Sequence, residues 1–109
     1  MKLAVLGGAL TPYNYNILDQ ELNKLIEEKQ CYLFTMLCGS TTENAAPADT
    51  LGRVWAERNG APIQWIFGPV PAILKEADYI IFLFDGNQEI KKIMMRYKMM
   101  GKHGTVIQL

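Results

Sequence analysis

The sequence predicts an α/β fold, a three-layer sandwich with a five-stranded parallel sheet between two layers of helices. Three observations carry this. Short apolar runs alternate with stretches of helical periodicity through all 109 residues. The runs are near-continuous instead of alternating apolar with polar, as strands are when both faces of a parallel sheet are covered. The stretches between successive runs are long enough for a crossover helix, which parallel neighbours require. A chain of this length makes one domain, because two would leave cores too small to persist. Residues 1–109 contain no linker, low-complexity tract or internal repeat.

Taken in order, Lys2–Leu6 reads as the first strand, stopped by Gly7-Gly8. A polar turn holding Tyr13 and Tyr15 follows, with Asn14 or Asn16 as the expected helix cap. Leu18, Leu22, Leu25 and Ile26 then recur at helical spacing, with Asp19, Glu21, Lys24, Glu27 and Glu28 on the other face. Cys31–Cys38 is the second strand, ended by Gly39-Ser40, and Thr41–Ala46 is a polar loop. Pro47 fits the first turn of a helix in which Leu51, Val54 and Trp55 share a face and which Asn59-Gly60 stops. Pro62–Phe67 is the third strand, and Gly68-Pro69 breaks it. Val70, Ile73, Leu74 and Ala77 mark a short helix, and Tyr79–Phe84 the fourth strand, closed by Asp85-Gly86-Asn87. Ile90, Ile93, Met94 and Tyr97 line a helix over 88–100 that Gly101 ends, and Thr105–Leu109 is the last strand.

Composition excludes several classes of function. Eleven basic and eleven acidic residues give net zero charge, which argues against a partner held by phosphate neutralisation, so nucleic acid is not expected. Half the residues are hydrophobic, which excludes disorder. No apolar run approaches the ~20 residues that span a bilayer, and the apolar start is too short for a signal segment, so no membrane is expected. Cys31 and Cys38 stand seven apart with one histidine, His103, in the chain, too few ligands for a structural zinc. Two thiols buried in or beside a strand, a reduced cytoplasmic setting, no metal and no cofactor are the expectation.

In an open parallel sheet, ligands bind beyond the carboxyl ends of the strands, where the strand order reverses. Gly7 and Gly8 permit close backbone approach to a phosphate, and they also suit a tight strand-to-loop turn. Gly39, Ser40, Thr41 and Thr42 add small hydroxyls and amides before a helix N-terminus, and equally suit a capping loop. Tyr13 and Tyr15 have the rings to stack on a base, or to pack over a helix end. Asp85 and Gly86 close the fourth strand at the crevice. Asp85 suits a sugar hydroxyl or acid–base chemistry, or simply the turn. Glu89 lies a helical turn beyond it, giving a pair of candidate catalytic carboxylates, and is also what any first helical turn prefers. His103 belongs to the opposite, amino end. Met94, Met95, Met99 and Met100 crowd the last helix. Met95 and Met99, off the core stripe, point to a homodimer through 88–100. Lys91, Lys92, Arg96, Lys98 and Lys102 make this end basic.

With these residues assembled, the stretch from Cys38 to Leu109 resembles the SLOG superfamily, in particular its small YspA-like branch, related to DprA and to the LOG phosphoribohydrolases. The similarity rests on Gly39-Ser40, on Ala48-Asp49-Thr50-Leu51-Gly52-Arg53-Val54-Trp55-Ala56 with Asn59-Gly60, on Ala77-Asp78-Tyr79 through Asp85-Gly86, and on Gly101-Lys102. The turn after Gly39 is about three residues longer than in that branch, and Pro47 stands where a glycine usually precedes Ala-Asp. The Arg-Asn motif after the third strand is replaced by Gly68-Pro69-Val70-Pro71, and the phosphoribohydrolase Gly-Gly-x-Gly-Thr-x-x-Glu signature is absent. The resemblance implies a Rossmann-like domain binding a nucleotide or nucleotide-derived signal without catalysis. Such a compact domain also suits a phage or mobile element that sequesters a signalling nucleotide. The last third is similar as well to nucleoside deoxyribosyltransferases, which implies an N-glycosidic enzyme with Glu89 as nucleophile as the alternative. A protein-interaction module that has lost its ligand is the third reading.

Overall fold

A computed structural model describes residues 1–7, 12–29, 34–39, 47–66, 70–84, 86 and 88–108. In chain order these form β1 (Lys2–Gly7), α1 (Pro12–Lys29), β2 (Thr35–Gly39), α2 (Pro47–Asn59), β3 (Ile63–Ile66), α3 (Val70–Glu76), β4 (Tyr79–Phe84), α4 (Gln88–Met99) and β5 (His103–Gln108). The five strands make one parallel sheet in the order β3-β2-β1-β4-β5, with β1 central. This is the Rossmann-like sandwich that the alternation of apolar runs and helices predicts.

The period of two along each strand sends its residues to opposite layers. Leu3 and Val5 of β1, Met36 and Cys38 of β2, and Ile81 and Leu83 of β4 join Leu18, Leu22 and Leu25 of α1 and Leu51, Trp55 and Ala56 of α2 in one buried cluster. Ala4, Leu6, Leu37, Ile66, Ile80 and Phe82 face the other way and pack with Ile73 and Leu74 of α3 and Ile90 and Tyr97 of α4. Each such leucine or isoleucine contributes roughly 1.5–3 kcal/mol by leaving water. α2 lies close on the sheet because Gly52 has no side chain: a Cβ there would stand 3.2 Å from the Val5 side chain and 3.3 Å from the Met36 sulfur. Trp55 is sealed beneath this layer, stacked on Phe34 with ring centroids 5.4 Å apart. Its indole Nε1–H donates to Asp19 Oδ1 at 2.8 Å.

Three boundaries differ from the sequence reading by two residues or more, and β1, β3 and α4 differ at one end by a single residue. α1 begins at Pro12, so Tyr13 and Tyr15 stand in the helix and not in a preceding loop, and Asn14 and Asn16 are inside it rather than at its cap. The proline explains this: its fixed φ and missing N–H suit the first helical position. β2 begins at Thr35, so the described strand covers only the end of the apolar run Cys31–Cys38. β5 begins at His103, two residues before the expected start, because Tyr79 of β4 already pairs with it there. Cys38 is buried in β2, as expected, and Cys31 lies outside the described residues.

Candidate functional site

The crevice follows from the strand order. From β1 the chain moves to β2 and β3 on one side, then crosses by α3 to β4 and β5 on the other. The reversal therefore falls between β1 and β4, whose carboxyl ends are side by side, with Gly7 paired to Leu83. Gly39 ends β2 on the other flank of β1. The offset that pairs Lys2 with Thr35 and Ala4 with Leu37, carried up the strands, sets Gly39 level with Leu6. Three of the strand ends nominated by the sequence, Gly7, Gly39 and Phe84 before Asp85, thus converge on one edge of the sheet. Gly86 is exposed beyond β4 with φ of 96°, a left-handed conformation that favours glycine. Gly8, Ser40, Thr41, Thr42 and Asp85 lie outside the described residues, as does the Tyr13 side chain.

Two other candidates are placed by their contacts. Tyr15 is half-buried against the α1–α2 layer, and the Arg58 guanidinium stands 4.6 Å from the centroid of its ring. One face of that ring is therefore covered by a cation–π contact. Glu89 opens α4 with an exposed side chain, 3.7 Å from Lys92 on the same helix. Its carboxylate serves the helix dipole and a surface ion pair. His103 is exposed at the amino end of β5, opposite Tyr79 and remote from the crevice. Among the described residues no group of His, Cys, Asp and Glu could hold a metal ion. No described helix is long and apolar enough to cross a membrane.

A further concavity lies elsewhere. It is a groove of about 410 Å³ between α4 and β5, lined by Phe82, Met94, Met95, Tyr97, Lys98 and Val106, among others. α4 packs toward β4 and leaves Val106 on β5 48% exposed. Beneath the groove, Tyr97 packs edge-on against Phe82 at 5.9 Å. Its hydroxyl is buried and has no hydrogen-bond partner among the described residues. Burial first, then the charges of Asp78 and Tyr79, push its pKa up from 10.0 to about 12. The sequence reading passed over this groove. Its available signal was the run His103–Gln108, six residues without a charged side chain on the last strand.

Comparison with protein-family models, with curated proteins and with solved structures found no match.

Proposed function

We propose that this chain binds a nucleotide or nucleotide-derived small molecule, with no reaction, at the carboxyl edge of its sheet. The observation that supports this is the reversal of strand order between β1 and β4, with Gly7, Gly39 and the end of β4 at one edge. Such switch points form the crevice in which open α/β sheets take their ligands. Glycines there let backbone amides approach a phosphate without a Cβ in the way. Asp85 and Gly86 are placed in this reading beside sugar or base. The resemblance to SLOG domains supports the same ligand class, and a cytoplasmic setting is part of this reading.

The test is calorimetry with nucleoside mono-, di- and triphosphates and cyclic nucleotides. Saturable binding to wild type, lost in Gly39→Val while the circular dichroism spectrum is unchanged, is the expected result. Equal affinity in that variant rejects the site.

Self-association through α4 belongs to the same proposal. Met95 and Met99 are 60% and 87% exposed, while Ile90 and Tyr97 are buried and Ile93 and Met94 pack on the sheet. Four residues apart, the two thioethers form an apolar ridge that a second α4 can meet across a twofold axis. Light scattering is expected to give a dimer for wild type and a monomer for Met95→Lys, Met99→Lys.

A further inference from the structure

We propose that the groove between α4 and the outer edge of β5 receives an extended acidic segment of a partner protein, which joins the sheet as a sixth strand. β5 is an edge strand: among the described residues its one neighbour in the sheet is β4. Edges are usually protected by lysines, prolines, bulges or a covering element. The six residues His103–Gln108 carry no lysine, arginine, carboxylate or proline, and Val106 at their middle is 48% exposed. Phe82, Met94 and Met95 supply an apolar wall beside that edge. An unguarded edge next to an apolar groove is the arrangement used in strand addition. There main-chain hydrogen bonds hold the peptide, and alternate side chains enter the groove.

Charge selects the partner. α4 carries Lys91, Lys92, Arg96 and Lys98 against a single carboxylate, Glu89, which stands beside Lys92. Lys91, Met94 and Lys98 are spaced i, i+3, i+7 and so share one flank, and Met94 and Lys98 of this flank line the groove. The two lysines are separated by ~10.5 Å along the helix, a length that an extended strand covers in about three residues. Carboxylates four positions apart in the added strand share one face at ~13 Å, within reach of both flexible lysine side chains, and the side chain midway between them enters the groove. Lys102 also lines the groove, but its ammonium donates to the carbonyls of Leu74, Lys75 and Ala77 and is not counted. A nucleic acid would meet the cations and leave the strand edge unused. A second copy paired β5 to β5 would bring the run His103–Gln108, which has no carboxylate to meet the two lysines. Met95 belongs both to this wall and to the ridge with Met99, so the groove adjoins the dimer surface proposed above and only Met99 lies outside its lining.

The experiment is fluorescence anisotropy, against the full chain, of the labelled peptide Ser-Glu-Thr-Val-Thr-Glu-Ser, in which both glutamates and the central valine share one face. A lysine-for-glutamate version and a version with the central valine replaced by proline run beside it. The acidic peptide is expected to saturate at roughly micromolar concentration. The lysine and proline versions should bind at least about tenfold more weakly. Lys91→Glu, Lys98→Glu should weaken the acidic peptide by about tenfold or more and strengthen the lysine version. Both side chains are exposed, and Lys91→Gln, Lys98→Gln repeats the measurement if the reversed pair misfolds. An acidic peptide that does not saturate overturns the proposal. So does a proline version that binds equally well, or an affinity indifferent to both lysine pairs. A wild-type dimer dissolved by Val106→Lys but not by Met99→Lys assigns the groove to a second copy and overturns it as well.

Discussion

Tyr97 shows how one side chain can serve packing and cost stability at once. Its ring covers Gly104 on β5 and meets Phe82, and its hydroxyl is carried out of water without a partner among the described residues. A buried hydroxyl without a hydrogen bond costs about 1–3 kcal/mol. Tyr97→Phe is therefore expected to leave urea stability unchanged or to raise it by about 1 kcal/mol. Alkaline titration sharpens the test. The folded phenol ionises near 12 and the unfolded one near 10.0, so the unfolded chain loses its proton first. Stability is fully present below pH 10 and falls as pH rises from 10 toward 12, by roughly 1.4 kcal/mol per unit. The Phe variant should lack that part of the alkaline loss in urea melts at pH 9, 10 and 11. Gly104 is the complementary case. A Cβ there would stand 2.7 Å from the Ile80 carbonyl oxygen and 3.4 Å from the Tyr97 ring. Main chain of a central strand cannot yield cheaply, so Gly104→Val is expected to cost about 1–3 kcal/mol in the same assay.

At the scale of elements, the end of α3 is held from far along the chain. Lys102 Nζ donates to the carbonyls of Leu74 at 3.0 Å, Lys75 at 2.6 Å and Ala77 at 3.0 Å. Last-turn carbonyls have no intrahelical donor, and an ammonium carries three. A helix of seven residues cannot persist on its own propensity, so this clamp and the burial of Ile73 and Leu74 set its position. Lys102→Met should lower stability by about 1–3 kcal/mol and speed amide exchange in α3 more than in α2. Lys102→Arg should not restore it, because a planar guanidinium does not match three convergent carbonyls. α1 and α2 are joined differently, through the Trp55 indole and Asp19. Removing the carboxylate in Asp19→Ala leaves the buried N–H unpaired, and a loss of about 1–3 kcal/mol is expected on thermal or urea unfolding.

Across the whole molecule, zero net charge hides an uneven distribution. α1 carries the carboxylates Asp19, Glu21, Glu27 and Glu28 against Lys24 and Lys29, α4 carries four basic residues against Glu89, and the two helices cover opposite faces of the sheet. Whole-chain charge argued against polyanions, and it says nothing about a cationic helix beside an open edge. Binding at the two proposed sites should thus differ in kind. The acidic peptide should weaken steeply as salt rises, by screening of exposed charges. A nucleotide at the switch point should raise the melting temperature: at 100 times its dissociation constant it adds ~2.7 kcal/mol, on the order of 10 °C for a domain this size. Differential scanning fluorimetry over the nucleotide panel reads this directly.

Tyr79–Phe84 shows what local pattern determines. Six apolar residues between an aspartate and Asp85-Gly86 have no alternative to a buried strand, and the strand has those bounds. The four helices, five strands and parallel class were legible for the same reason, because period and run length are local properties. Gly60 and Gly101 stop α2 and the turn after α4 at φ of 68° and 74°, values that a glycine after a helix announces. The start of α1 was missed because the polar Tyr-Asn-Tyr-Asn stretch looks like a turn, and only Pro12 marked it as helix. Strand order was beyond local reading, since every strand here has much the same apolar pattern and the order depends on which way each crossover turns. That order alone places Gly7 beside Leu83 and Gly39 on the other flank. The three hydrogen bonds of Lys102, the orphaned Tyr97 hydroxyl and the groove over Val106 also exist only in the folded chain. Each depends on groups more than twenty residues apart, or on how far α4 sits from the edge strand. The sequence determined which segments are strands and helices and which residues end them; packing decided which of those ends face one another and which surfaces stay open.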